Sequence, residues 1–391
     1  MSPDLAGSAL LGAARALHGR VAADGAEIER ERRLPAPLVE ELRAAGMFHL
    51  MVPAAYGGAE ADPLEALAVV EELSSADGSV GWCAMLAAQA GAYAAFFAPE
   101  AAEEIFGGRQ TTAGVGRPIG RAVPVTGVGG AGWTVSGRWP FASGSSHADW
   151  FSGEALVYPD GGTDPLKDAS GNDVVVTFMT RRANVTVYDT WDTLGLRGTA
   201  SNDFSVDGLF VPQAHAADFA GGPRVPLPVY RCEPLIFMNH GAHALGIARA
   251  ALEAARDVVN VKRGWGAVPL RDVTRMQVAV AEATAMVESA RAWFFDSAAM
   301  LWADVQAQGG GGEPLLRSRA RLAGSHAANQ SIAAVDLLHR ALATSAVQVA
   351  SPLDRQFRDI HTAGAHVMVG PLTYEAAGRV ELGMPADFPL F

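Results

Sequence analysis

Cysteine is nearly missing from this 391-residue chain: Cys83 and Cys232 are the two present, far apart and without metal-ligand spacing. Neither a disulfide framework nor a zinc site is available to such a sequence, and a reducing cytoplasm fits it. Positive charge is scarce as well. With 30 Lys and Arg against 42 Asp and Glu, few of them lysines, the formal net charge is -12. That excludes a general nucleic-acid binder, because neutralising phosphates needs clustered Lys and Arg. Charge of either sign is low at 18% beside 49% apolar residues, which implies surface buried between subunits and a homo-oligomer. Long apolar runs are missing too. The later Ala-rich stretches are interrupted by Gln, His or charge, and the N-terminus has no basic-then-apolar signal pattern, so no membrane span is predicted. Neither a P-loop nor a nucleophile elbow occurs.

What is present is a change of period along the chain. From about Leu5 to Phe106 apolar residues recur three and four apart, as in Leu38 to Leu42 and Leu64 to Leu73, which predicts an all-helical first region. Gly57-Gly58 marks a turn there, and Asp77-Gly78 separates one helix from the apolar segment beginning at Ser79. Between about Thr111 and Pro212 the period falls to two. Trp133 to Ser136, Val174 to Phe178 and Asn184 to Tyr188 read as strands. Beyond Pro234 the helical period returns in three long Ala-rich stretches and a shorter one near the end, broken by Gly309 to Gly312. The expected architecture is α+β: a helical region over 1–110, a β region over 111–222 and a four-helix bundle over 223–391.

Strands confined to the middle are not the alternating pattern of a dinucleotide-binding fold. Gly127, Gly129 and Gly132 fit G-x-G-x-x-G, but Trp133 to Ser136 follows as a strand. No helix N-terminus is then available for a pyrophosphate, and the glycines read as a hairpin loop.

Three segments carry residues suited to chemistry. Ser136 to Gly144 sets Trp139, Phe141 and Ser143 among glycines, offering flat walls and close backbone approach for an isoalloxazine ring. The Ser143 hydroxyl can donate or accept at such a ring, and it also reads as a plain strand-end turn serine. In Arg358 to His366, His361 and His366 stand five apart in what reads as a short segment between helices. Either titrates near neutrality and suits proton transfer, the spacing is poor for one metal on one helix face, and a structural histidine is the other reading. His240, His243, His326 and His339 lie in helical patterns with no special claim. Arg197, within Thr193 to Ser201, and Arg231, after the proline-rich 223–230 segment, could each hold a phosphate or a ring edge, or be ordinary surface arginines.

Taken in order, these segments resemble the acyl-CoA dehydrogenase superfamily over nearly the whole chain. Val52-Pro53-Ala54-Ala55-Tyr56-Gly57-Gly58, Val70-Glu71-Glu72-Leu73 and Asp77-Gly78-Ser79 look like its N-terminal helical domain. Leu194-Gly195-Leu196-Arg197-Gly198-Thr199 through Val211-Pro212 looks like its middle β-barrel or sandwich domain. Phe141-Ala142-Ser143-Gly144 stands where the dehydrogenases carry Trp-Ile-Thr/Ser-Asn against the flavin, and the resemblance gives Ser143 the contact to flavin N5. Where many dehydrogenases place their catalytic glutamate, counting from Arg358-Asp359, this chain has Gly364. A glycine cannot abstract a proton.

Phe-Ala-Ser-Gly, His361-Thr-Ala-x-x-His366, Gly81-Trp82 and Tyr230-Arg231 are similar instead to the two-component flavin-dependent monooxygenases built on that scaffold, such as the 4-hydroxyphenylacetate and secosteroid phenol hydroxylases. The resemblance implies an oxygenase component that receives reduced FMN or FAD from a separate NAD(P)H-dependent flavin reductase and uses molecular oxygen. It would hydroxylate a small aromatic, phenolic or polycyclic substrate through a flavin C4a-hydroperoxide. It implies His366 as base, with His361 as second choice, and Ser143 at the flavin adduct. Phe141, Ala142, Arg197 and Arg231 would bind the cofactor; Trp82, Gln89, His361 and His366 would line the substrate pocket; and the assembly would be a cytoplasmic homotetramer. Gln89 stands where several of these monooxygenases have another histidine, and it cannot shuttle a proton. Two readings compete: an acyl-CoA dehydrogenase with Glu375, after Tyr374, as base, and a flavin or ligand-binding homologue without chemistry. Convergence of Ser143 and His366 on one pocket discriminates among them.

Overall fold

A computed structural model describes residues 7–127, 130–264 and 267–388. Five helices open the chain: α1 (Ala9–Glu31), α2 (Ala36–Ala44), α3 (Pro63–Ala76), α4 (Gly78–Ala92) and α5 (Pro99–Phe106). Their starts are written locally. Asp62 accepts from the Leu64 N–H with Pro63 in the first turn, and Asp77 accepts from Ser79 and Val80 at the start of α4; both satisfy amides that lack intrahelical partners. Leu5, the predicted start of the helical pattern, lies outside the described residues.

Six strands follow: β1 (Thr112–Gly127), β2 (Gly130–Ala142), β3 (Trp150–Val157), β4 (Val175–Arg181), β5 (Thr186–Tyr188) and β6 (Asn202–Pro212). They form one mixed sheet in the order β4-β3-β1-β2-β6-β5. β1 runs parallel to β3 and every other neighbouring pair is antiparallel. Trp139, Phe151, Phe178 and Phe204 fill the core of this sheet. Of the G-x-G-x-x-G glycines, Gly129 lies outside the described residues, and β1 and β2 pair antiparallel up to Gly127 opposite Gly130.

The helical period then returns in α6 (Glu233–Phe237), α7 (Asn239–Val261), α8 (Thr274–Gln308), α9 (Pro314–Leu342), α10 (Pro352–Gly364) and α11 (Pro371–Glu381). Gly309 ends α8 at φ 77°, and Glu313 caps α9 ahead of Pro314. Two points differ from the sequence expectation. Near the end there are two short helices, because Pro371 starts a new one after the break at 365–370. And Arg358 to Gly364 belongs to α10 itself, so His361 is helical while His366 opens a separate turn.

The helices before and after the sheet share one continuous core, with α3 packed on α7 and α7 on α9. Glu71 on α3, fully buried, is held across that seam by Arg291 Nε at 2.7 Å and Nη2 at 3.0 Å and by Arg249 at 3.5 Å. Segments separated by the β region thus close around one interior, and the functional residues collect where α4, α7, α10 and the end of β2 meet.

Candidate functional site

Trp82 on α4 is the centre of the site. Its indole Nε1 donates to Ser143 Oγ at 3.0 Å, and its ring meets His366 edge-on with 5.6 Å between ring centres. Two residues 223 positions apart therefore converge on one side chain, which is what α4 packing between the sheet and α10 achieves.

The bonds around Ser143 have a fixed direction. Thr199 Oγ1 spends its one proton on the Leu196 carbonyl at 2.8 Å. Ser201 Oγ, 2.7 Å away, must then donate to Thr199, and Ser143 Oγ must donate to Ser201 at 2.6 Å. The chain runs Trp82 to Ser143 to Ser201 to Thr199 to Leu196 C=O. Ser143 has its proton committed and one lone pair left over. The loop carrying Thr199 and Ser201 approaches α1 and α4 so closely that a Cβ on Gly198 would lie 2.1 Å from Ile28 Cγ2, and the Gly198 N–H donates to Ser79 Oγ at 3.1 Å.

Phe141, two residues before Ser143, sits at φ 68° with 63% of its surface exposed and meets Trp191 edge-on. A bulky side chain in the left-handed region is strained, and here the strain turns an aromatic face outward beside the hydroxyl chain. Ala142 is fully buried in the sheet core, and its carbonyl accepts from the Ser145 N–H.

Sequence reasoning missed the histidines of α7. His240 lies nearly parallel to His366 with 4.4 Å between ring centres, and both His240 and His243 meet Trp82 edge-on. The signal that could have found them is their spacing of three in Asn239-His240-Gly241-Ala242-His243, which sets both on one helix face. Gln89 belongs to the same cluster. Asn239 Nδ2 donates to the Met85 carbonyl at 3.3 Å, so Asn239 Oδ1 accepts from Gln89 Nε2 at 2.8 Å. The same Gln89 amide reaches His240 Nε2 at 3.3 Å. His240 Nε2 is thereby an acceptor, its proton sits on Nδ1, and that Nδ1 is buried without a partner. Gln89 cannot move a proton, yet it orients a second imidazole that can.

Burial and then the charge of Arg321 lower the pKa of His366 to about 4, and burial, then His366 and Arg321, lower that of His240 well below its ordinary value; burial lowers His243 to about 4. All three are neutral near pH 7. Neutral His366 can accept a proton, and the one backbone contact of its ring among the described residues, the Met368 N–H at 3.4 Å from Nδ1, is too long to lock one tautomer.

The other predicted residues lie elsewhere. His361 Nε2 pairs with Asp336 at 2.8 Å and packs on Phe357. Arg197 is engaged with the Thr193 carbonyl at 2.7 Å, Asp192 and Glu29, pinning the loop that carries the hydroxyl chain. Arg231 is exposed, and its aliphatic stem covers Gly310. Beneath that loop the Leu196 N–H donates to Asp359 Oδ1 at 2.6 Å. Burial beside Asp77 raises the Asp359 carboxyl to about 7.

A narrow cleft between α4, α7, α9 and α10 is lined by Trp82, His240, Ile332, Gly364 and Val369 among others. Gly364 thus faces the cleft, while Glu375 is exposed on α11. Among the described residues no group of His, Cys, Asp and Glu could hold a metal, and no helix is long and apolar enough to cross a membrane.

Known proteins share this architecture. Residues 9–104 match the acyl-CoA dehydrogenase N-terminal domain and residues 238–371 the acyl-CoA dehydrogenase C-terminal domain. Indole-3-acetate monooxygenase of Pseudomonas putida is 30% identical over 365 residues, 91% of this chain and 89% of that protein. The flavin-dependent monooxygenase oxygenase subunit HsaA of Rhodococcus jostii RHA1 is 28% identical over 385 residues, 92% and 94% of the two chains. The crystal structure of 3-HSA hydroxylase from Rhodococcus sp. RHA1 superposes with a TM-score of 0.88 at 26% identity, covering 98% of this chain and all of that one. By these matches the chain belongs to the acyl-CoA dehydrogenase superfamily, in its branch of flavin-dependent monooxygenase oxygenase components.

Proposed function

We propose that this chain hydroxylates an aromatic substrate as the oxygenase half of a two-component system, using reduced FMN or FAD delivered by a separate NAD(P)H-dependent flavin reductase. The observation that carries the reading is the meeting of Ser143 and His366 on Trp82. The first is suited to a flavin edge and the second to a substrate proton.

The residues present fit a flavin, and a reduced one in particular. Phe141 offers an exposed flat wall, and Ser143, its proton committed to Ser201, presents a lone pair to an N–H donor. Reduced flavin carries an N–H at N5 where oxidised flavin carries an acceptor. We assign Arg231 to the flavin phosphate end and Arg197 to holding the loop behind Ser143. A reduced flavin, when bound, would supply two electrons to O2, so that one oxygen atom would enter the substrate's ring and the other leave as water. His366 takes the proton of a phenolic hydroxyl or ring N–H, raising electron density at the carbon attacked; His240, held by Gln89, supports it. His361, turned toward Asp336, orients α10 from outside the pocket.

Relatives named for indole-3-acetate and for resorcinol make indoles and phenols the compounds to try first. We infer a homotetramer, supported by Val261, Val349 and Leu382, each more than three-quarters exposed on C-terminal elements, and a cytoplasmic setting, supported by the two buried free thiols. The test is stopped-flow absorbance after protein loaded anaerobically with reduced FMN or FAD meets oxygenated buffer. A transient distinct from both reduced and oxidised flavin, decaying faster with a phenol or indole and yielding hydroxylated product, is expected. Direct reoxidation without transient or product rejects the reading.

A further inference from the structure

Arg321 on α9 is a buried cation without an anion. The residue is 1% exposed, and no carboxylate pairs with it among the described residues. Its Nε has no partner. Its Nη2 reaches the Met368 carbonyl at 3.4 Å and the Met368 sulfur at 3.8 Å, and that carbonyl is already shared with Ser325 Oγ at 3.4 Å and Thr373 Oγ1 at 3.3 Å. Five guanidinium N–H groups therefore have two long contacts among them, both from Nη2 and both to Met368. Burial pulls the pKa down only to about 10, so the charge persists near pH 7. A buried charge left unpaired is strongly destabilising, and a fold keeps such a group where something else supplies the counter-charge.

Position says what that is. Met368, whose carbonyl Arg321 holds, also directs its N–H to His366 Nδ1, so guanidinium and imidazole sit on two sides of one three-residue turn. The charge is felt at both His366 and His240. A second buried donor in the same cluster, His240 Nδ1, lacks an acceptor as well. His240 lines the aromatic cleft, and Arg321 reaches it through the turn whose Val369 lines it too; two such unsatisfied donors, one charged, call for a ligand bearing an anionic pair of oxygens.

We propose that Arg321 is the counter-ion for a carboxylate on the aromatic substrate, so that this chain takes aromatic acids in preference to their neutral analogues. The proposal rests on the reading of the cleft as an aromatic site and adds the class of substituent. A reduced flavin is the other anion that could draw on the charge, and the test separates the two.

Binding of indole-3-acetate and its neutral isostere indole-3-acetamide to the flavin-free protein is measured by calorimetry, alongside binding of reduced FMN under anaerobic conditions. The expected result is a preference of wild type for the acetate by about 10- to 100-fold, the scale of one charge-assisted contact. Arg321→Gln should abolish that preference while leaving acetamide and FMN affinities unchanged, and Arg321→Lys should restore part of it. Equal affinity of wild type for the two probes, no binding of either, or a loss in Arg321→Gln confined to FMN overturns the proposal. Should Arg321→Gln fail to fold, the melting-temperature rise of wild type with acetate against acetamide reads the preference alone: a larger rise with acetate upholds it and equal rises overturn it. A wild type that passes the stopped-flow test and shows no acetate preference keeps the monooxygenase reading and loses this one.

Discussion

His240 and His366 lie nearly parallel, tilted by 19° with 4.4 Å between ring centres, although one opens α7 and the other follows α10. Two imidazoles so close cannot both be charged, and Arg321 adds a third positive field. Both rings are neutral over the working range, which leaves His366 free to accept a proton. His366→Ala should lower turnover of a phenolic or indolic substrate by about 10²- to 10⁴-fold, the usual worth of a general base, with flavin affinity preserved. The acid limb of kcat/KM should fall near pH 4 in wild type, well below the ordinary histidine range, and should move upward in Arg321→Gln. A pH profile on both proteins checks the sign.

Ser201 never touches the substrate cleft, yet it decides where the Ser143 proton points. Removing its hydroxyl frees Ser143 to donate, and a free donor suits the N5 acceptor of oxidised flavin. Ser201→Ala should therefore narrow the preference for reduced over oxidised FMN by about 3- to 10-fold, a change of roughly one hydrogen bond. Separate titrations with reduced and oxidised FMN measure it. An unchanged ratio would mean that Ser143 does not face the flavin.

The sequence made the architecture legible because it is written in local signals: helical period before Phe106 and after Pro234, period two between, Asp77 capping α4, Gly309 ending α8. It also gave Trp82, Ser143 and His366, which the fold brings together. His240, His243, Ser201 and Arg321 were not legible. Each sits on an element whose local pattern already explains it, and its importance arises only from packing between segments distant in the chain, as when α7 lays His240 on His366. His361 erred in the opposite direction. It shares a segment with His366, but the helix through Gly364 turns it toward Asp336.

Phe141 trades stability for placement. Its φ of 68° costs a non-glycine residue about 1 kcal/mol or more, and the gain is an aromatic wall exposed beside Ser143. Phe141→Gly removes strain and wall together. Melting temperature should hold or rise slightly, while reduced-FMN affinity falls by about tenfold. A drop in melting temperature with flavin binding intact would assign Phe141 to the fold instead.

Asp359 ties the hydroxyl chain to pH. Its carboxyl, buried beside Asp77 with Arg355 and Glu29 also acting on it, has its pKa raised from 3.8 to about 7. The folded protein thus holds a proton that the unfolded chain releases above about pH 4. Stability from this group is fully present below that value and is lost as pH rises toward 7. The lowered His366 and His243 act in the other direction, costing stability as pH falls from 6.5 toward 4. The Asp359→Asn variant isolates the first effect. Its carbonyl still accepts from the Leu196 N–H, and it matches a protonated aspartate near pH 5, so the two proteins should melt together there. By pH 8 the wild type must ionise a buried carboxylate facing Asp77, and the variant should melt roughly 2–5 °C higher. Because Leu196 also receives the last proton of the Ser143 chain through Thr199, wild-type flavin affinity should weaken over the same window while that of the variant stays level. Parallel melting curves at both pH values would place the Asp359 pKa in the ordinary carboxylate range and break the link.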